Sequence, residues 1–112
     1  MSVYYPDAWQ LFYIKSNQPH VRVFAEWKGS FDTQDYWRIN SGIVNVEETN
    51  DTFVVEGSSG SIYTLRKRAE TGLFSYGRSV LDNLIRQQEE HNGVEIVLIE
   101  MYEYQDGSYL DL

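Results

Sequence analysis

Polar and apolar residues alternate cleanly over residues 20–28, HVRVFAEWK. Val21, Val23, Ala25 and Trp27 fall on one side; His20, Arg22, Glu26 and Lys28 fall on the other, joined by Phe24. A period of two predicts a strand with one face in the core. Before it, WQLFYIK (residues 9–15) is aromatic and aliphatic up to the turn Ser16-Asn17-Gln18-Pro19, and predicts the first strand. After the loop GSFDTQD, residues 36–48, YWRINSGIVNVEE, predict a third strand. Its apolar positions change phase around Gly42, the signature of a β-bulge. TNDT turns the chain into a fourth strand, TFVVE, and SIYTLRK predicts a fifth.

From Leu73 the spacing changes to three and four: Leu73, Gly77, Val80, Leu81, Leu84 and Ile85, with Tyr76 on the flank. This predicts an amphipathic helix over about residues 73–91, stopped by Asn92-Gly93. VEIVLIEMYEY then predicts a C-terminal strand, nearly continuous in apolar residues at its centre and so expected in the sheet interior. Asp106-Gly107 turns the tail, and SYLDL is apolar enough to dock on its own sheet or on another chain. The expected fold is α+β, a single domain over residues 1–112: an antiparallel five-stranded meander, one helix packed on a sheet face, and the last strand.

Charge adds an asymmetry. Net charge is −8 over 112 residues. Residues 1–60 carry four Lys/Arg against eight Asp/Glu, residues 61–86 carry five against two, and residues 87–112 carry seven acids with no Lys or Arg. An acidic surface disfavours direct nucleic-acid binding. Cysteine is absent, which excludes disulfides and thiolate chemistry. The start, MSVYYPDAW, lacks the basic and apolar runs of a signal peptide, and no stretch approaches the roughly 18 apolar residues of a membrane span. The expectation is a cytoplasmic protein with no membrane contact.

Residues 56–68, EGSSGSIYTLRKR, raise the question of a phosphate cradle. Such a loop opens onto a helix N-terminus, where N–H groups and the dipole favour an anion. Here it opens onto strand residues, and no GK[ST] follows, so Gly57-Ser58-Ser59-Gly60 reads as a hairpin loop whose glycines supply positive φ. His20 and His91 have no ligand-spaced acids beside them, and no serine sits in a GxSxG elbow. The expectation is no catalytic residues, no metal and no cofactor. Trp27 and Trp37 are expected in the core.

Residues 37–43, WRINSGI, and 57–63, GSSGSIY, resemble a pattern in small bacterial and phage proteins: W-[RK]-[IL]-N-S-G-I followed by G-x-S-G-S-x-Y. The resemblance spans residues 21–85 in loose spacing. It implies a small accessory or inhibitor protein of a mobile element, with no activity carried over.

Together these features point to a non-enzymatic protein-interaction module. Its candidate partner-binding residues are Glu89, Glu90, Glu95, Glu100, Glu103, Tyr104, Tyr109, Arg38 and Asn40. In a sharper form the acids imitate nucleic-acid phosphates and occupy the site of a nucleic-acid-binding protein. Two other readings stand beside it. One is a small-ligand or hydrolytic domain, with a pocket between helix and sheet where His20, Arg38, Asn40 or the loop serines converge. The other is a homodimer in which Arg66, Lys67 and Arg68 meet the acidic end of a second copy.

Overall fold

A computed structural model describes residues 2–112. Among these residues the architecture is α+β, with eight strands in two four-stranded sheets and one main helix. The strands are β1 (Val3–Tyr4), β2 (Ala8–Lys15), β3 (His20–Trp27), β4 (Tyr36–Ile39), β5 (Ile43–Glu48), β6 (Thr52–Gly57), β7 (Ile62–Arg66) and β8 (Glu95–Ile99). Helix α1 spans Ser75–Asn92, and a short helix α2 spans Met101–Asp106. One sheet runs β1-β7-β6-β5 and the other β4-β3-β2-β8. All pairings are antiparallel except β1 with β7. No helix among the described residues is long and apolar enough to cross a membrane.

The molecule is layered, sheet on sheet with α1 behind. β2 explains why. Trp9, Leu11 and Tyr13 join Val21, Val23, Val55, Tyr63 and Leu65 in the core between the sheets. Ala8 and Phe12 join Phe24, Leu73 and Leu81 in a second core under α1. A strand covered on both faces has no reason to alternate, so WQLFYIK reads as an apolar run. Gln10 is buried with it, and its amide donates to the carbonyls of Leu11 and Ile99, both at 2.9 Å. That satisfies the polar group where β8 stops pairing with β2. Trp9 ties the sheets together: its indole N–H donates to the Arg66 carbonyl (2.7 Å), and its own carbonyl accepts the Thr71 N–H (2.8 Å).

The five-stranded meander is therefore overturned, chiefly at residues 36–48. The expected third strand is two strands in different sheets: β4 pairs with β3, and β5 pairs with β6. Gly42, at φ +125°, is the corner where the chain changes sheet rather than a bulge within one strand. The phase change of apolar positions was a real signal, but of a change of core. A register irregularity does occur, between Ile43 and Asn45 in β5.

The C-terminal strand is also corrected. β8 stops at Ile99 and lies at a sheet edge, not in the interior. Its apolar run comes from packing on both faces, with Val97 and Ile99 in the inter-sheet core and Ile96 under α1, while Leu98 beyond the helix is exposed. The residues after it turn helical because Glu100 caps α2. Its side chain takes the backbone N–H of Glu103, while the Glu103 carboxylate takes the Glu100 N–H at 2.9 Å. Helix α1 agrees with its sequence pattern. Gly93, at φ +64°, ends it, with the Gly93 and Val94 N–H groups bonded to the Glu89 and Gln88 carbonyls. The tail docks on its own chain: the Tyr109 ring lies edge-on to Tyr13 (5.0 Å between centroids) and stacks on Tyr104 (5.5 Å). The two-residue β1 had no period to reveal it.

Candidate functional site

The Gly57–Gly60 loop is a hairpin, and its N–H groups are all spent inside the fold. Gly57 N–H donates to the Ser61 carbonyl, Ser58 to Gly42, Ser59 to the Ser41 hydroxyl and Gly60 to Gly57, at 2.8–2.9 Å. No backbone N–H of Gly57–Gly60 is left for a phosphate. The Ser58 hydroxyl donates to Ser41, so the serines lock the hairpin onto the β4–β5 corner. Only Gly60 of the two loop glycines has positive φ. Gly57 is needed for space instead, since a Cβ there would lie 3.2 Å from the Ser41 hydroxyl and 3.3 Å from the Asn40 amide nitrogen.

Asn40 is buried and continues the sheet where β4 ends. Its Oδ1 accepts the Val23 N–H (2.7 Å) and its own N–H donates to the Val23 carbonyl (3.1 Å), while Nδ2 has no partner among the described residues. Asn40 and Arg38 do different things, and only Arg38 lies within β4. The Arg38 guanidinium lies over the Tyr4 ring, 4.7 Å from its centroid.

Most of the singled-out acids hold local structure. Glu95 pairs with Lys15 at 2.9 Å, and Glu100 and Glu103 form the α2 cap. Glu70 stands beside them, accepting the Met101 N–H at 2.6 Å, and burial pushes its carboxyl above the ordinary carboxylate range. Glu89 and Glu90 are exposed on the last turns of α1. Glu103 is helical, so its expected place on the C-terminal strand is overturned. Tyr104 and Tyr109 pack against each other and the core, and burial raises the Tyr104 phenol. In the basic cluster, Arg66 bonds the Asp7 carbonyl (3.1 Å) and Lys67 bonds Glu48 (2.6 Å), which holds the Glu48 carboxyl below its usual range. Arg68 is exposed.

A ladder of aromatic rings climbs from the core to the outer side of β4. Buried Tyr63 meets Tyr4 (4.9 Å), Tyr4 meets Trp27 (6.0 Å), and Trp27 stacks on Tyr36 (4.8 Å) at an angle of 4°. On the opposite face Trp37 stacks on Phe24 at 5.5 Å. Tyr36 is 59% exposed and Trp37 is 37% exposed, whereas Trp9 is fully buried. The expectation of Trp37 in the core is thus corrected: β4 is an edge strand, so a large side chain on it is covered from one side only. Trp27 is half-buried against the inter-sheet core.

Comparison of the chain with protein-family models, with curated proteins and with solved structures finds no match. The reading of the site rests on its geometry.

Two further features complete the geometry, one outside the sequence reading and one, a helix–sheet pocket, among its alternatives. The first is Glu26, fully buried although it sits on the polar side of the β3 alternation. Its carboxylate accepts the N–H groups of Phe74 (2.8 Å) and Gly77 (2.7 Å), capping α1 from across the fold. Burial raises its carboxyl above 4.5, the two N–H bonds oppose that, and neighbouring Asp35 adds to the rise. The partner lies about fifty positions away in sequence, so no local signal could have found it.

The second is a groove of about 340 Å³ between α1 and its sheet, walled by Phe12, Ile14, Leu84, Ile85 and Ile96, with His20 and Arg22 at the border. His20 thus reaches a helix–sheet cavity, but Arg38, Asn40 and the loop serines do not line it. Among the described residues, no group of three His, Cys, Asp or Glu side chains is placed to hold a metal.

Proposed function

We propose that this chain is a non-enzymatic protein-interaction module that receives another protein on the outer edge of β4. The observation that carries the reading is an unpaired strand edge bearing Tyr36 and Trp37, each stacked on a ring beneath it. A partner strand added to such an edge gains main-chain hydrogen bonds, and preordered aromatic side chains supply anchors at low entropic cost. Two of the other three edges are defended: β5 carries Glu47, Glu48 and a register irregularity, and β1 has only two residues, while β8 carries no exposed aromatic ring. β4 carries no proline and no acid. Arg38, held over Tyr4, adds a fixed cation on the same strand. This face replaces the acidic C-terminal third as the principal contact, because three of its five singled-out glutamates already serve lysine pairing or capping.

The reading is tested by affinity capture with the wild-type chain and with Tyr36→Ala/Trp37→Ala, washed at low and high salt. A partner held through high salt by the wild type and lost by the double variant supports it. A partner retained equally by both refutes the β4 face. One released by salt from both chains moves the contact to Glu89 and Glu90, where a nucleic-acid-binding protein would meet a phosphate-like surface.

A further inference from the structure

We propose that the groove between α1 and the sheet β4-β3-β2-β8 binds a free single-chain fatty carboxylate, with the chain between helix and sheet and the carboxylate on Arg22. The cavity, about 340 Å³, is at the small end of ligand pockets, which run from about 300 to 1,000 Å³. Its walls are aliphatic and incompletely covered. Ile14, Leu84, Ile85 and Ile96 belong to the core under α1 yet remain only partly buried, so an alkyl chain laid between them would complete their packing. No acidic residue lines it.

The polar end is ordered in advance. The His20 Nδ1–H donates to the Gln18 carbonyl at 2.8 Å, and its Nε2 accepts the Arg22 Nε–H at 2.9 Å. Because arginine can only donate, this chain requires the neutral Nδ1–H form of His20 and fixes the direction of the guanidinium. Arg22 forms no ion pair among the described residues, and its two terminal nitrogens carry no hydrogen bond there. In a protein of net charge −8, an oriented and unpaired guanidinium beside an apolar cavity is complementary to an anion on an alkyl chain. The groove meets β4 only at Ile39 and includes neither Tyr36 nor Trp37, so the two proposals stand or fall independently.

The test titrates the full chain with decanoate, dodecanoate and 1-decanol, each as monomer, following side-chain methyl resonances and the heat of binding. Three results are expected: saturable shifts at Leu84, Ile85 and Ile96; about fourfold tighter binding per added methylene while the groove still has room; and at least a tenfold preference for decanoate over decanol. Arg22→Gln should abolish the preference for decanoate over decanol. Equal affinity for acid and alcohol in the wild type overturns the proposal without recourse to any variant. So does the absence of saturable decanoate binding, or shifts confined to Tyr36 and Trp37. Binding to anionic phospholipid vesicles in the absence of monomer binding also overturns it, by moving the chemistry to a membrane surface.

Discussion

Gly77→Ala tests the link between β3 and α1. In an exposed helix interior this change stabilises by about 1 kcal/mol, because alanine loses less conformational freedom on folding. Here the added Cβ would lie 2.2 Å from Glu26 Oε1, far inside contact distance. The methyl cannot move without shifting α1, and the carboxylate is fixed between the sheet and two N–H donors. Displacing it forfeits both bonds, at about 1.5 kcal/mol each. Set against the gain in propensity, the net cost is about 2 kcal/mol. For a domain of this size that corresponds to a fall in Tm of about 8 °C. Urea and thermal unfolding followed by circular dichroism would measure it. The decisive control is the same change in a Glu26→Ala background, where the carboxylate is gone and Gly77→Ala should become neutral or stabilising. A stabilising Gly77→Ala in the wild-type background, or a cost unchanged in the Glu26→Ala background, would refute the reasoning.

The same carboxylate makes a pH prediction. With its folded-state pKa raised above 4.5, chiefly by burial, Glu26 contributes stability fully present below that value and lost as pH rises through the folded pKa. Glu26→Gln should lack this decline, so the stability difference between wild type and variant should shift against the wild type across that window; the opposite slope in urea titrations would contradict the assignment. At the sheet-crossing corner, Gly42→Ala places a side chain at φ +125° and should cost about 1–3 kcal/mol in urea unfolding, whereas a neutral result would mean the corner relaxes freely.

Local periodicity carried much of this fold. The alternation in β3, the turn at residues 16–19, the 3.6-residue pattern of α1 and its glycine stop all depend on neighbours within a few positions. They were legible in the sequence for that reason. The hairpin at Gly57–Gly60 was legible too, because a strand follows it where a phosphate loop needs a helix. The Glu100–Glu103 capping box was written in the chain as well, three residues apart, but it was masked by an apolar run that continues from β8.

What tertiary structure decided was which core each segment serves. Period two reports that a strand has two faces; it does not report what covers them. Thus β2 and β8 show similar apolar runs although one is central and the other is an edge. Residues 36–48 kept strand character while leaving one sheet for another at Gly42. The same limit hid both the buried role of Glu26 and the place of Arg22 in the helix–sheet groove. Glu26 and Arg22 stand on the polar side of one strand, and sequence assigns both to solvent. Packing α1 over that side buries the first against helix N–H groups and leaves the second at the mouth of an apolar cavity, because the helix covers only part of the sheet.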